Sequence, residues 1–253
     1  MRPFRRICVR LFFIITATFA GCQPVFAQGV FDMGALTNTL TTGAATSGTG
    51  PSSSTGSSGG FASALVARPQ LVSTDTKKQF LFKPSMELRQ AGYAKFVAGL
   101  RAGYPKQAQA YEKIFVQNDV IDTIGKGVGP YGLRVDNVSD AMTVWFVTMY
   151  MVANGRTDDN THEEMSAVQK QVDTILAKVP ALLNASDKEK QEIAEGMWLF
   201  VFTSTIEMEA AKTNPESMKG LQEAARKVAL DQMKLNIDDL SLTSQGFVRK
   251  GKS

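Results

Sequence analysis

The stretch Asn137-Val138-Ser139-Asp140 followed by AMTVWFVTMYMVA (residues 141–153) decides the reading of this chain. Its last thirteen residues carry no charge, yet a membrane span needs about 20 apolar residues. An Asn at the start accepts from the unpaired first N–H groups of a helix, and an Asp just inside complements its dipole. Gly155 supplies the stop. Met142, Trp145 and Met149 fall on one helical face, as core packing requires. Met149 and Met151 are two residues apart and point about 200° away from each other, so they cannot share a soft copper ion. The stretch therefore reads as a buried central helix.

Outward from it the pattern stays helical. Upstream, Pro84-Ser85 opens a segment with Leu88, Tyr93, Phe96, Val97 and Leu100 near helical spacing, ended by Gly103. Pro105 suits a first helical position before Ala108, Tyr111, Ile114 and Phe115. Val120, Ile121 and Ile124 predict a short turn closed by the glycine-rich run 125–132. Downstream, Thr161-His162-Glu163-Glu164 and Ser186-Asp187-Lys188-Glu189 have the form of capping boxes. The second opens the longest helix, through the apolar run Met197–Phe202. Asn214-Pro215-Glu216 starts a last helix carrying Leu221, Ala225, Val228, Leu230 and Met233. No two-residue alternation of comparable length occurs. The expected fold is all-α, a single compact bundle of six or seven helices after a disordered N-terminal segment, packed around residues 138–153 and 193–210.

The N-terminal third is of another kind. Arg2, Arg5, Arg6 and Arg10 precede the apolar run Leu11–Gly21, and Val25-Phe26-Ala27 offers small residues for a cut after Ala27. This is the pattern of a secretory signal, residues 1–27. Phe19-Ala20-Gly21-Cys22 resembles the lipobox of bacterial lipoproteins, so lipidation at Cys22 is the one route by which a membrane becomes a partner. Residues 28–76 read as a disordered linker: 19 of the 24 residues at 37–60 are Ser, Thr or Gly, too little apolar surface to offset ordering. A coil of that length reaches about 27 Å. The helical domain is expected at 77–253, with a short basic tail.

Composition narrows the chemistry. The chain has 28 basic and 24 acidic residues, and the four arginines of 1–27 account for the whole excess, leaving 24 against 24. A neutral mature chain argues against a nucleic-acid partner. Both cysteines, Cys8 and Cys22, lie in the leader, so thiol catalysis and Cys-type metal sites are excluded downstream of it. The single histidine, His162, stands in a capping box, where a catalytic base would lack packed partners. Gly127-Val128-Gly129-Pro130-Tyr131-Gly132 has the GxGxxG form, but no strand precedes it and no helix opens within it, so it reads as a permissive connector. No metal, cofactor or catalytic residue is predicted. The remaining candidates for acid catalysis are Glu195, Glu207 and Glu209, flanking the aromatic run with Trp198, and Glu216. Glu216-Ser217 resembles the Glu-Ser of lytic transglycosylases, although the Gly-Leu-Met-Gln segment of those enzymes is missing.

Phe82-Lys83-Pro84-Ser85, Asp119-Val120-Ile121, Tyr131-Gly132-Leu133-Arg134, Asp136-Asn137-Val138 and Asp140-Ala141 with Trp145 together resemble an uncharacterised family of exported bacterial proteins, a domain of unknown function, over about residues 82–155. The resemblance implies an envelope or secreted setting and brings no activity. The expected role is thus an exported, periplasmic or secreted, non-enzymatic helical module that binds a protein or envelope component. Tyr131 and Arg134, an aromatic and a guanidinium displayed on the glycine-rich connector, are the candidate binding residues. The alternative is a carboxylate-based cell-wall glycan hydrolase. A seam between two copies of the chain is a third use for the apolar helices.

Overall fold

The computed structural model describes residues 60–251. Residues 1–27, read as a signal sequence, with Cys22, and most of the stretch read as linker lie outside the described residues. Ten α-helices occur among them: α1 Gly60–Leu65, α2 Thr74–Lys78, α3 Met86–Arg101, α4 Pro105–Gln117, α5 Val120–Val128, α6 Val138–Ala153, α7 His162–Leu176, α8 Pro180–Leu183, α9 Asp187–Ala211 and α10 Pro215–Met233. Seven of these have nine residues or more; α1, α2 and α8 are one or two turns each. The chain closes with a short antiparallel hairpin, β1 Leu240–Thr243 and β2 Gly246–Arg249.

The central helix forms where its sequence requires. The Asn137 side chain accepts from the N–H groups of Ser139 and Asp140, and every residue of α6 except Met151 is buried. The chain leaves at Gly155, whose φ of 61° is the left-handed conformation a glycine adopts freely. α9 runs along α6, with Trp145 and Phe200 ring centroids 5.7 Å apart. α7 and α10 cover other faces of α6. Both capping boxes are present, Thr161 with Glu164 at α7 and Ser186 with Glu189 at α9. α3 and α4 form an antiparallel pair joined by aromatic contacts, Tyr93 stacking on Phe115 at 4.4 Å.

Three expectations need correction. The ordered chain begins upstream of 77: α1 and α2 lie inside the stretch read as linker, and Leu65 is completely buried. It follows directly on the Ser/Thr/Gly-rich run 37–60, so a short apolar anchor was hidden behind a linker-like composition. The glycine run at 125–132 is no open connector. It forms the last turn of α5 and a 3₁₀ turn, Gly129–Tyr131, closed by Gly132 at φ 78°. Finally, the C-terminal stretch is a packed hairpin, Phe247 being 1% exposed. The amide of Gln171 on α7 accepts from the Phe247 N–H at 2.9 Å and donates to its carbonyl at 2.8 Å, as a neighbouring strand would.

Candidate functional site

Gly155 turns the chain out of α6 into residues 156–160, and this short loop makes one lip of a cleft of about 110 Å³. The floor is apolar: Val144 and Val147 from α6, Met165 from α7, and Met208 from α9, with Met151 beside them. Met151 is the one residue of α6 that the core leaves partly open. The lips carry Arg156, Asp158, Asp159 and Asn160 on one side, Glu209 and Lys212 on the other. Tyr131, on the 3₁₀ turn after α5, closes a third side.

The lips are held in place by their own pairing. The Arg156 guanidinium forks onto Asp158, donating at 3.1 and 2.6 Å, and lies 6.0 Å from the Tyr150 ring centroid. Lys212 pairs with Glu209 one turn earlier at the end of α9. The Tyr131 hydroxyl donates to the carbonyl of Asn160 at 3.3 Å, tying the turn to the loop. Burial, then the nearby charges of Asp159 and Glu164, push the Tyr131 phenol up. The Asn160 Nδ2 donates to the Met151 sulfur, while its Oδ1 is buried without a hydrogen-bond partner.

Of the two residues singled out on the connector, Tyr131 lines this cleft and Arg134 does not. Arg134 is exposed and forks onto Asp136 at 2.8 and 2.6 Å, which holds its guanidinium above the ordinary range. Its backbone N–H donates to Asp140. Its contribution is local geometry at the α6 start. The loop 156–160 and the three methionines were not identified from sequence. A signal existed in the acidic cluster Asp158-Asp159-Asn160 directly after the helix stop; the methionines, spread from 151 to 208, gave none.

The carboxylates proposed for acid catalysis are not brought together. Glu195 and Glu207 are both on α9, twelve residues or about 18 Å apart along the axis. Glycosidases hold two carboxyls about 5–9.5 Å apart. Glu195 is buried in a network: it accepts from Arg89 Nε at 2.8 Å and from Gln191 Nε2 at 3.0 Å. Burial pushes its carboxyl up, while Arg89 pulls it back. The same guanidinium reaches Asp119, the N-cap of α5, at 2.7 Å, and Tyr93 donates to that carboxylate at 3.1 Å. The set ties α3, α5 and α9 together. Glu216 sits exposed in the first turn of α10, where it complements the helix dipole. His162 is exposed at the first position of α7. Among the described residues no three His, Cys, Asp or Glu form a group that could hold a metal ion, and no helix is long and apolar enough to cross a membrane.

The fold and cleft define a class: an all-α bundle with a small C-terminal hairpin and an apolar cleft edged by paired charges. The chain belongs to the family described as a family of unknown function (DUF6683), whose model matches residues 54–250. The match extends the resemblance at 82–155 over nearly all of the described residues and reaches back past α1. No curated protein and no solved structure matches the chain.

Proposed function

We propose that this chain is an exported, non-enzymatic helical module that binds a protein or another envelope component, with the cleft beside Tyr131 as its recognition site. The observation that carries this is an apolar floor left open within a well-packed bundle, under lips whose charges are paired with one another. Packed interiors close such gaps, and an open apolar concavity with a polar rim is the usual form of a binding site. Residues 1–27 and the Ser/Thr/Gly-rich stretch after them support export and tethering. The wide separation of Glu195 from Glu207 supports a binding role over hydrolysis.

The test uses the full chain carrying a photo-reactive side chain at Thr157, exposed on the cleft lip, or at Val116, which is 82% exposed and does not line the cleft. In an envelope extract a discrete adduct is expected from position 157, suppressed by Met151→Trp, and absent from position 116. Equal labelling at both positions rejects the cleft as the recognition site. Intact-mass measurement of the cell-derived protein tests export through a cut after Ala27 or lipid on Cys22. A leader still in place argues against it.

A further inference from the structure

We propose that the floor of this cleft is a thioether site for one soft metal ion, copper(I), held by Met151, Met165 and Met208. The inference goes beyond the proposal above and does not depend on a partner at the lips. Met149 and Met151 cannot share an ion, because they point away from each other along α6. Packing gives Met151 different company. Met165 near the start of α7 and Met208 near the end of α9 line the same cleft of about 110 Å³. Three helices thus bring three sulfur-bearing side chains to one small opening, while the core residues Met142, Met149 and Met197 stay out of it.

The donor set selects the ion. Thioethers bind soft copper(I), whereas carboxylates and water suit magnesium, calcium and manganese. Asp158 and Glu209 on the lips are engaged by Arg156 and Lys212. Among the described residues no three His, Cys, Asp or Glu form a metal-holding group, so a harder ion finds no ligand set here. Copper(I) has a filled d shell and imposes no ligand-field geometry, so three sulfurs suffice. The methionine side chain is unbranched with three rotatable bonds, which lets each sulfur turn toward an ion without moving its helix. Asn160 Nδ2 donates to the Met151 sulfur, which holds that thioether beside the loop 156–160 and leaves its second lone pair. Val144 and Val147 complete an apolar shell that limits competition from water.

The experiment uses the full chain with Cys8→Ser and Cys22→Ser, which removes competing thiols, and carbon-13 at the methionine methyls. Silver(I), a soft stand-in that needs no reductant, is titrated in chloride-free buffer, followed by copper(I) kept reduced with ascorbate. The Met151, Met165 and Met208 signals are expected to shift together and to stop at one equivalent of silver, with Met142, Met149 and Met197 fixed. Met86, which is 54% exposed, should move only in excess. Copper(I) should then displace silver at the same three methyls. Leucine nearly conserves methionine's volume, so Met151→Leu, Met165→Leu and Met208→Leu should keep the fold. Each should weaken binding by about tenfold or more, and Met86→Leu should not. A merely hydrocarbon-lined pocket would be indifferent to these changes, because leucine keeps it apolar. If Met86 titrates alongside the cleft set, or if leucine at all three cleft positions leaves the affinity unchanged, the inference is overturned. Zinc(II) shifting the same signals as tightly, or copper(I) leaving silver in place, overturns the assignment to copper(I). Labelling from Thr157 reads a partner separately, so the failure of either proposal leaves the other standing.

Discussion

Asp140 is 2% exposed in the first turn of α6, accepting from the Arg134 N–H at 2.9 Å and from Gln169 Nε2 at 2.6 Å. Burial pushes its pKa up to about 6, Asp173 adds repulsion, and the two donors only partly offset them. Asp173 itself is held by Lys77 at 2.7 Å and by the Ser139 hydroxyl. In the unfolded chain an aspartate gives up its proton near pH 4. Between there and pH 6 the folded state holds the extra proton, so this residue's contribution to stability is full at low pH, falls as pH rises, and levels off above 6. Against the wild type, Asp140→Asn should therefore gain stability by about 3 kcal/mol in relative terms across that window. Urea unfolding from pH 4 to 7 measures it, and a pH-independent difference would show that Asp140 is ionised throughout. Gly246 makes a steric case: its φ is 90°, and an added Cβ would stand 2.4 Å from Gln171 Oε1. Gly246→Ala should cost about 1–3 kcal/mol, read as a lower urea midpoint at unchanged slope.

At the scale of the element, each long helix carries its own start signal, which is why the helices were legible. Thr161 and Ser186 cap through the side chains their spacing promised, and the charge-free run at 141–153 became the most deeply buried helix. The hairpin was not legible, because its strands have four residues each and alternate for only two apolar positions. It exists because Phe247 packs under Tyr150, at 5.5 Å between rings, and because Gln171 stands in for a third strand. The Arg89 network was hidden for a different reason: its members at 89, 119, 191 and 195 meet only once α3, α5 and α9 have packed. Arg89→Met strands Glu195 as a buried charge and should cost about 3–5 kcal/mol. Adding Glu195→Gln should restore part of that loss. A double-mutant cycle with no coupling would mean that the two side chains do not depend on each other.

At the scale of the whole molecule, helical patterning placed the core but not its margins, because margins are fixed by long-range contacts. Tyr131 was singled out from its place in the glycine-rich run, while the cleft it lines is assembled from residues between 128 and 212 that share no local pattern. The N-terminal boundary shows the same limit and yields a direct test. α1 packs on α7, Leu65 is fully buried, and residue 70 is fastened to Thr174, whose hydroxyl accepts from the Gln70 N–H at 2.9 Å and lies 3.2 Å from its carbonyl. Arg249 on β2 donates to Ser63 at 3.3 Å, so α1 and the hairpin are joined at the surface of the bundle. A chain starting at residue 77 keeps every long helix and loses all of this. Removing a buried leucine alone costs about 2–5 kcal/mol. The 77–253 fragment should therefore unfold at a clearly lower urea concentration than 60–253, and Leu65→Ala in the longer chain should account for most of the gap. Identical midpoints would mean that α1 adds nothing to the bundle and that the domain starts where composition alone would place it.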